Sequence, residues 1–329
     1  MAKVRVGIIG TGGMAQVHIK RLLQNPDAEI AALCDIDPKA LASTLKQHPQ
    51  LPATIPQFAD YREMLEKAEL DAVHIDTPHT LHYQMILDSL DAGKHVLCEK
   101  PMVCTVAHAH DVLRKIEETG KVFVLAYQRH YQPEFLYIRD AIAAGRIGEV
   151  QFVQGLQCQG WLKGVAGTWR QTQELSGGGQ LNDSGSHLLA VILFTTGLTA
   201  DRVCAFIDNF GVPVDINSAL TIEFEGGAQG NISVVGNAPT WHEDLTIWGE
   251  KGIFFMRNGK LEVCDESGKR FTPSAEEMPK GSNPDDNFIA AVLGREAVGS
   301  PAHWGLKVIE LTEAAWKSAA ENRIVKVEH

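Results

Sequence analysis

The sequence predicts an α/β fold in two parts, a doubly wound parallel sheet followed by a domain with a mostly antiparallel sheet. From Val4 to about Ala126, short β-branched apolar runs alternate with amphipathic stretches, as in parallel sheets covered by helices on both faces. After Tyr127 long strand-like runs dominate instead. A chain of 329 residues also exceeds the size at which one core usually stops growing. We therefore expect two domains, 1–126 and 127–329.

The first predicted domain alternates five strands with five helices. The strands are Val4 to Ile9, Ile30 to Cys34, Ala72 to Ile75, His95 to Cys98 and Val122 to Ala126. The helices are Met14 to Leu23, Pro38 to Gln47, Tyr61 to Lys67, Leu81 to Ala92 and Val106 to Thr119. Apolar runs this short fit strands that are buried on both faces.

The second predicted domain has one helical stretch, Pro133 to Ala143, and then a series of strands. These are 148–153, Val203 to Asn209, Ala219 to Phe224, Gly230 to Val235, Leu245 to Trp248 and Gly252 to Met256. The turn signals Glu225-Gly226-Gly227 and Arg257-Asn258-Gly259 predict hairpins of an antiparallel sheet. The last helical stretch, His303 to Ala320, could return to the first domain.

Composition excludes several classes of partner. Acidic residues outnumber basic ones by 41 to 30, which argues against nucleic acid or an anionic membrane surface. The longest apolar candidate, Leu188 to Phe194, is far too short to span a membrane. The N-terminal apolar stretch, broken at Gly10, favours a first strand over a targeting segment. Six cysteines without a C-x-x-C pair indicate reduced core residues, so we expect a cytoplasmic protein.

The first strand is followed by Gly10-Thr11-Gly12-Gly13-Met14-Ala15, which fits the G-x-G-x-x-G/A pattern that opens a dinucleotide-binding helix. About twenty residues further on, Asp35 ends the second strand, where a carboxylate can bind both ribose hydroxyls of NAD. Asp37 would add repulsion against the extra phosphate of NADP, so NAD is favoured and NADP is less expected. In the alternative interpretation, Asp35 and Asp37 merely begin the next helix, with Pro38 at its first position.

Three further segments carry a more specific pattern. Thr77-Pro78, then Gly93-Lys94-His95-Val96, and Glu99-Lys100-Pro101 follow the glycine loop, and Glu99-Lys100-Pro101 comes directly after a predicted strand. A second pattern spans Ser176 to His187 and reads S-G-G-G-Q-L-N-D-S-G-S-H. With this spacing, the sequence from about residue 4 through His187 resembles the family of glucose-fructose oxidoreductase, inositol dehydrogenase and MocA.

The resemblance implies a Rossmann domain followed by an α/β domain whose large open sheet makes dimer or tetramer contacts. It implies catalytic roles for Lys100, Asp183 and His187, and a cis peptide between Lys100 and Pro101. The expected partners are a small sugar or polyol and further copies of the chain, as a homodimer or homotetramer. The residues expected to bind NAD are Gly10, Gly12, Gly13, Met14, Ala15, Asp35, Thr77, Pro78, His82, Glu99 and Lys100.

The residue types also suit this chemistry by themselves. Asp183 and His187 are four apart in an apparently helical stretch, Asp183 to Thr195, and would share one face. The carboxylate could then orient an imidazole that takes a hydroxyl proton, while Lys100 hydrogen-bonds the same oxygen. Alternatively, Asp183 caps the helix and His187 is a half-buried structural histidine.

Other side chains are weaker candidates. Four could contribute to substrate binding: Arg129, Trp161, Trp169 and Arg170. The two tryptophans suit a core or an interface equally well. His74, His79 and His82 suggest a metal site, but no carboxylate or cysteine has ligand spacing to them, so no metal is expected.

The leading functional hypothesis is an NAD-dependent oxidoreductase that transfers a hydride between nicotinamide and a hydroxyl-bearing carbon of a sugar, inositol or sugar derivative. A second hypothesis is a glycosidase or isomerase that uses tightly held NAD for transient oxidation. A third is a non-catalytic NAD-binding sensor or scaffold. The architecture alone does not distinguish substrates, because it carries many reactions.

Overall fold

In the computed structural model, which describes residues 3–329, the chain divides into two compact units. Unit 1 holds the described residues up to Val103 together with Ala107–Gln128 and Ser282–His303. Unit 2 holds Cys104–Val106, Arg129–Gly281 and Trp304–His329. Strands and helices are numbered below in chain order.

Unit 1 is built on a six-stranded parallel sheet. Its strands are β1 (Val4–Ile9), β2 (Ala28–Cys34), β3 (Gln57–Phe58), β4 (Ala72–Ile75), β5 (His95–Cys98) and β6 (Phe123–Leu125). They lie in the order β3-β2-β1-β4-β5-β6, and every pair is parallel. This is the doubly wound order in which the chain reverses direction beside β1, and it confirms the predicted fold class.

Five of the six α-helices described in unit 1 begin and end close to where periodicity and caps predict, whereas the sixth, Pro284–Val292, has no counterpart among the predicted helices. The six are α1 (Gly13–Gln24), α2 (Pro38–Gln47), α3 (Tyr61–Lys67), α4 (His82–Asp91), α5 (Val106–Thr119) and α10 (Pro284–Val292). Only the first residue of α5 is assigned to unit 2. Asp37 caps α2 by accepting a hydrogen bond from the Lys39 amide, with Pro38 in the first turn. The alternative interpretation of Asp37 as a cap is therefore confirmed.

The segment 282–303 belongs to unit 1, although the sequence places it beyond the predicted boundary at residue 126. Asn283 caps α10 through the Asp286 amide, and α10 packs against α1, β5 and β6. Phe288 and Ile289 of α10 join the core beneath β1. The last long helix, α11 (His303–Glu321), lies almost wholly within unit 2.

Unit 2 is built on a nine-stranded, mostly antiparallel sheet. Its strands are β7 (Val150–Cys158), β8 (Ala200–Asp208), β9 (Asn217–Phe224), β10 (Gln229–Val235), β11 (His242–Gly249), β12 (Ile253–Arg257), β13 (Lys260–Cys264), β14 (Arg270–Phe271) and β15 (Val325–Lys326). Its other helices are α6 (Pro133–Ala143), α7 (Trp161–Gly164), α8 (Gln173–Ser176) and α9 (Gly185–Thr196). The order is β14-β13-β12-β11-β7-β10-β9-β8-β15.

The two hairpins predicted from turn signals are confirmed. β9 and β10 are antiparallel neighbours on either side of residues 225–227. β12 and β13 are joined by Asn258-Gly259, and Arg257 pairs with Lys260. Both turn residues have positive φ, 46° and 80°, which is the conformation that a two-residue hairpin of this type requires.

One face of the large sheet is covered by helices. Along β7 the buried residues Val153, Gly155 and Gln157 alternate with more exposed ones. A Cβ added at Gly155 would lie 3.0 Å from Ile192 and 3.3 Å from Leu188, so α9 packs directly on β7. The opposite face carries exposed side chains, among them Phe206, which is 75% exposed.

All six cysteines are free, as expected, but only Cys34 and Cys98 are buried. The expectation that the cysteines are core residues is thus wrong for the other four. No helix within residues 3–329 has the length and apolar character needed to cross a membrane.

Candidate active site

The glycine loop joins β1 to α1. Gly10 has φ 87°, and an added Cβ would lie 2.8 Å from the Asp76 carbonyl oxygen, so both conformation and packing require glycine there. At Gly12 and Gly13, an added Cβ would lie within 4 Å of no atom of residues 3–329 other than those of its chain neighbours and of the backbone of its own helix. Packing against the rest of the described chain therefore does not explain these two glycines.

Asp35 is tied to the glycine loop. Its Oδ2 accepts hydrogen bonds from the Thr11 amide at 2.7 Å and the Thr11 hydroxyl at 2.9 Å. Its Oδ1 accepts the Asp37 amide at 2.9 Å. The side chain is half-buried, so the loop and β2 hold this carboxylate in a fixed position at the end of the strand.

His82 links the loop after β4 to the loop after β5. Its Nδ1 lies 2.8 Å from the Pro101 carbonyl oxygen and its Nε2 lies 2.9 Å from that of Thr77. Burial lowers the pKa of this imidazole, and the neutral ring donates to one carbonyl at a time. His82 is fully buried, and its two contacts hold these loops next to each other. The Lys100–Pro101 peptide is cis, which confirms the expectation.

Glu99 contacts both Lys100 and a buried group of ionisable side chains. Glu99 Oε2 accepts the Lys100 amide at 3.0 Å, and its Oε1 lies 3.0 Å from His18 Nε2. The other ring nitrogen of His18 lies 2.7 Å from Asp285 Oδ1, and Arg21 donates to Asp285 Oδ2 at 3.0 Å. We call His18, Asp76, Glu99 and Asp285 the His18 cluster; Asp76 Oδ1 lies 3.6 Å from His18 Nε2.

The His18 cluster holds charge in the interior of unit 1. Burial by itself lowers the pKa of His18, but Asp76, Asp285 and the hydrogen bonds to Asp285 and Glu99 raise it well above the usual value. Burial opposes ionisation of Glu99 and Asp285, yet His18 lowers the pKa of both. Burial raises the pKa of Asp76 to about 7. His18 is therefore a cation between two carboxylates, with a third carboxyl beside it.

His74 does have a carboxylate neighbour, contrary to the sequence analysis. Asp285 Oδ1 lies 3.7 Å from His74 Nδ1, and the ligand atoms of His18, His74 and Asp285 all lie within 4.8 Å of one another. Asp285 is supplied from the far end of the chain, which is why spacing did not reveal it. Both ring nitrogens of His18 already contact carboxylate oxygens, so this group is a hydrogen-bonded ion cluster.

Asp183 is the centre of the polar site in unit 2. Its Oδ2 accepts hydrogen bonds from the Trp161 indole and from Arg170 Nε, both at 3.0 Å. Arg170 also lies over the Trp169 ring, 4.4 Å from its centroid. Trp161 is buried against Val214 and Ile216, whereas Trp169 and Arg170 are half-buried. Four of the sequence-predicted residues are thus brought together.

The helix that carries His187 begins later than predicted. α9 starts at Gly185, and Asp183 lies in the preceding turn, where its amide donates to the Gly179 carbonyl. The expected helix from Asp183 was wrong because Gly185 donates back to Gln180 and closes a turn first. Asp183 does not cap α9 either, since Ser184 holds that position without a side-chain bond.

Asp215 fixes the glycine-rich segment before Asp183. Its carboxylate accepts the amides of Gly179 and Leu181 at 2.8 and 2.7 Å and the Trp316 indole at 2.9 Å. A Cβ added at Gly179 would lie 1.8 Å from the Asp215 carbonyl oxygen, and one at Gly178 would lie 2.4 Å from the Trp316 ring. Burial raises the pKa of Asp215. These glycines are required by packing.

Arg129 belongs to a second polar group in unit 2. Its Nη2 donates to Glu243 Oε2 at 2.6 Å, and Gln157 Nε2 donates to the same oxygen at 3.3 Å. Sequence reasoning missed Gln157 and Glu243 because both occupy ordinary inward positions of strands. No local motif marks them.

Residues 4–127 match the model of an oxidoreductase family with an NAD-binding Rossmann fold. The class is thereby defined as an oxidoreductase with an NAD-binding Rossmann domain. Residues 135–255 match the GFO/IDH/MocA C-terminal domain. The chain belongs to the Gfo/Idh/MocA family of oxidoreductases.

Relatives support the same family over nearly the whole chain. An inositol 2-dehydrogenase of Rhizobium meliloti (strain 1021) is 26% identical over 339 residues, which cover 98% of this chain and 99% of the relative. The rhizopine catabolism protein MocA of Rhizobium meliloti is 32% identical over 198 residues, 60% of this chain and 58% of the relative. The solved structure of levoglucosan dehydrogenase with NADH and levoglucosan shares the fold, with a TM-score of 0.89 at 21% identity, covering 99% of this chain and 100% of that one.

Proposed function

We propose that this protein is an NAD-dependent dehydrogenase that oxidises a hydroxyl-bearing carbon of a sugar, inositol or sugar derivative. The observation that carries the proposal is Asp183, a buried carboxylate held by Trp161 and Arg170 just before the helix that bears His187. The names of the relatives, an inositol dehydrogenase among them, favour the same class of substrate.

Three side chains share the chemistry in this proposal. His187 takes the hydroxyl proton as general base, because the ordinary pKa of histidine suits proton exchange near neutral pH. Asp183 stabilises the imidazolium that results. Lys100 donates a hydrogen bond to the oxygen as it becomes a carbonyl. Bound NAD supplies the acceptor for the hydride that leaves the same carbon.

The cofactor would be held by the loops at the carboxyl ends of the strands of unit 1. The pyrophosphate would lie against the loop of Gly10, Gly12, Gly13, Met14 and Ala15, and the ribose hydroxyls against Asp35. Thr77, Pro78, Glu99 and Lys100 would line the nicotinamide end, where His82 acts through the carbonyls that it bridges. The Asp35 carboxylate favours NAD over NADP, since it would repel a 2′-phosphate.

The test is NADH formation, followed by absorbance, with NAD and then NADP across inositols, aldoses, glycosides and polyols. Lys100→Ala should abolish turnover and leave NAD binding nearly intact. Lys67→Ala is the matched control, because Lys67 pairs with Glu63 at the surface of α3 and should turn over normally. Unchanged turnover in Lys100→Ala would overturn the assignment.

The two alternatives give distinct results in the same experiment. An enzyme of transient oxidation would release NAD on denaturation and convert a glycoside or isomerise a sugar without net NADH. A sensor would bind NAD, and Lys100→Ala would change no chemistry.

We further propose assembly as a homodimer or homotetramer through the uncovered face of the nine-stranded sheet. Phe206 is 75% exposed on that face, so a second copy packed there would remove its ring from water, which is favourable. Light scattering should give a mass two or four times that of one chain, and Phe206→Ser should lower it.

A further inference from the structure

We propose that Gln157, Gln159 and the Arg129–Glu243 pair form a hydroxyl-binding subsite in unit 2 that selects uncharged sugars and polyols over sugar acids. The inference rests on the proposed function, because it assigns specificity to the substrate of the Asp183 site.

The position of these residues follows from strand register. Gln157 on β7 pairs with Glu243 on β11 and with Val234 on β10. A Cβ added at Gly185 would lie 3.1 Å from the Val234 side chain. A row across the sheet therefore runs from Val234 through Gln157 to Glu243 and begins beneath Gly185, the first residue of α9. Gly185 is two residues from Asp183 and two from His187.

The chain after β7 leads to the same place. Gln159 follows Gln157 by two residues, and its amide still donates to Val235 of β10, so alternation keeps its side chain on the helix-covered face. Two residues later, Trp161 donates to Asp183. Gln157 and Gln159 thus approach Asp183 along one face of the sheet.

Folding stability does not explain why Gln157, Arg129 and Glu243 lie on the helix-covered side of the sheet. Their neighbours on the same face are apolar, among them Val153 and Leu245. Gln157 is only 1% exposed, and the side chains of Arg129 and Glu243 are 16% and 9% exposed. Taking an ion pair out of water costs about as much as the attraction returns, so apolar residues would serve folding equally well.

The unused hydrogen-bonding capacity of these side chains matches a hydroxyl group. Among the residues that the structure describes, none is a hydrogen-bond partner of the buried atoms Arg129 Nη1, Gln157 Oε1 and Gln159 Nε2. Two of these atoms donate and one accepts. A hydroxyl both accepts and donates, so neighbouring hydroxyls of a polyol could satisfy all three, after small side-chain rotations that expose them.

The charges favour a neutral ligand. A guanidinium without a partner would bind a substrate carboxylate strongly, but Arg129 is already paired with Glu243 at 2.6 Å. Their charges sum to zero, and Glu243 would repel an added carboxylate. D-glucose and D-glucuronate, which differ only at C6, are therefore a suitable pair of probes, with myo-inositol as a second neutral one.

The test measures binding by calorimetry in the presence of NADH, and kcat/KM where a probe turns over. The wild-type protein should bind a neutral probe at least tenfold more tightly than D-glucuronate. Glu243→Gln keeps the shape and releases Arg129, so the preference should fall by about 10- to 100-fold, the size of one charge-assisted hydrogen bond. Gln157→Leu should weaken the binding of neutral probes about tenfold and, where a probe turns over, should act mainly on KM. Gln154→Leu, on the exposed face of β7, is the control and should change neither the preference for neutral probes nor their affinity.

The outcomes separate the two proposals. An unchanged preference in Glu243→Gln, or a Gln157→Leu variant that matches Gln154→Leu, would overturn the subsite even if turnover is normal. Binding of neutral probes with the expected variant effects but without turnover would retain the subsite and overturn the dehydrogenase. Absence of binding of all probes to the wild-type protein would overturn the subsite. Thermal melts identify a variant that fails to fold, in which case the other variant decides.

Discussion

Replacing His18 with leucine removes the cation from the centre of the His18 cluster. Asp285 and Glu99, which lie 2.7 and 3.0 Å from the ring nitrogens, would then face each other in the interior without it. Breaking a buried ion pair in this way costs roughly 3–5 kcal/mol. Arg21 still holds the other oxygen of Asp285, which favours the lower end. For a unit of this size, about 3 kcal/mol corresponds to a melting temperature roughly 6–12 °C lower.

The loss should depend on pH in a definite direction. The pKa of His18 is raised in the folded protein, so its contribution to stability is complete below its unfolded pKa, about 6.5. The contribution is lost as pH rises through the folded pKa. The difference in melting temperature between the wild-type protein and His18→Leu should therefore be largest near pH 6 and narrow toward alkaline pH.

His95 provides a control of opposite sign. Burial lowers the pKa of His95, whose Nδ1 accepts the Val122 amide. A histidine that stays neutral in the folded state contributes stability above the unfolded pKa and loses it as pH falls. The effect of His95→Leu should therefore grow as pH rises from about 5 to 7. Circular dichroism melts between pH 5 and 9 measure both variants. Parallel pH trends, or a His18→Leu effect that widens above pH 7, would refute the reasoning.

Three further outcomes are expected. Gly179→Ala forces a Cβ to within 1.8 Å of a backbone oxygen and should lower the free energy of unfolding by about 3 kcal/mol in urea titrations. At Gly164 the added Cβ meets no described atom within 4 Å beyond its chain neighbours and its own helix backbone, so Gly164→Ala should be neutral or stabilising. Asp35→Ala should weaken NAD binding about 10- to 100-fold in calorimetry. Asp37→Ala should lower stability by about 1 kcal/mol, because a helix cap is lost, and should leave the NAD affinity unchanged; equal NAD affinities of the two variants would contradict the assignment of Asp35 to the ribose. The pKa of Asp76 is raised to about 7, so Asp76 contributes to stability below its unfolded pKa and this contribution is lost as pH rises toward 7. Asp76→Asn should therefore make the free energy of unfolding depend less on pH between about 4 and 7, and an unchanged pH dependence would count against the raised pKa.

Local sequence patterns predicted most of the elements because each depends on nearby residues. The helix Pro38–Gln47 has its proline and its cap beside it, and β1 is a continuous apolar run. The prediction missed β3, because Gln57 and Phe58 are too few to form a pattern and pair only through the backbone of β2. It also began α9 two residues early, since the turn that delays it depends on a bond from Gly185 to Gln180.

The polar groups show the limit of sequence reasoning more clearly. Asp183, Trp161 and Arg170 lie within 22 residues of one another, and the first was found as part of a motif. His18 and Asp285 are 267 residues apart. Neither belongs to a pattern, because a buried ion pair needs only proximity in space.

The return of residues 282–303 to unit 1 has a consequence for biosynthesis. The chain up to Gln128 leaves the ribosome before Asp285 has been made, and at typical rates the intervening residues take roughly 8–30 s to synthesise. In that interval the nascent unit 1 lacks α10, and His18 lacks one of its two carboxylates. The N-terminal unit therefore completes its core only after most of the C-terminal unit has been translated. Because unit 2 also needs residues 304–329, both units are completed near the end of translation rather than one after the other, as successive domains usually are.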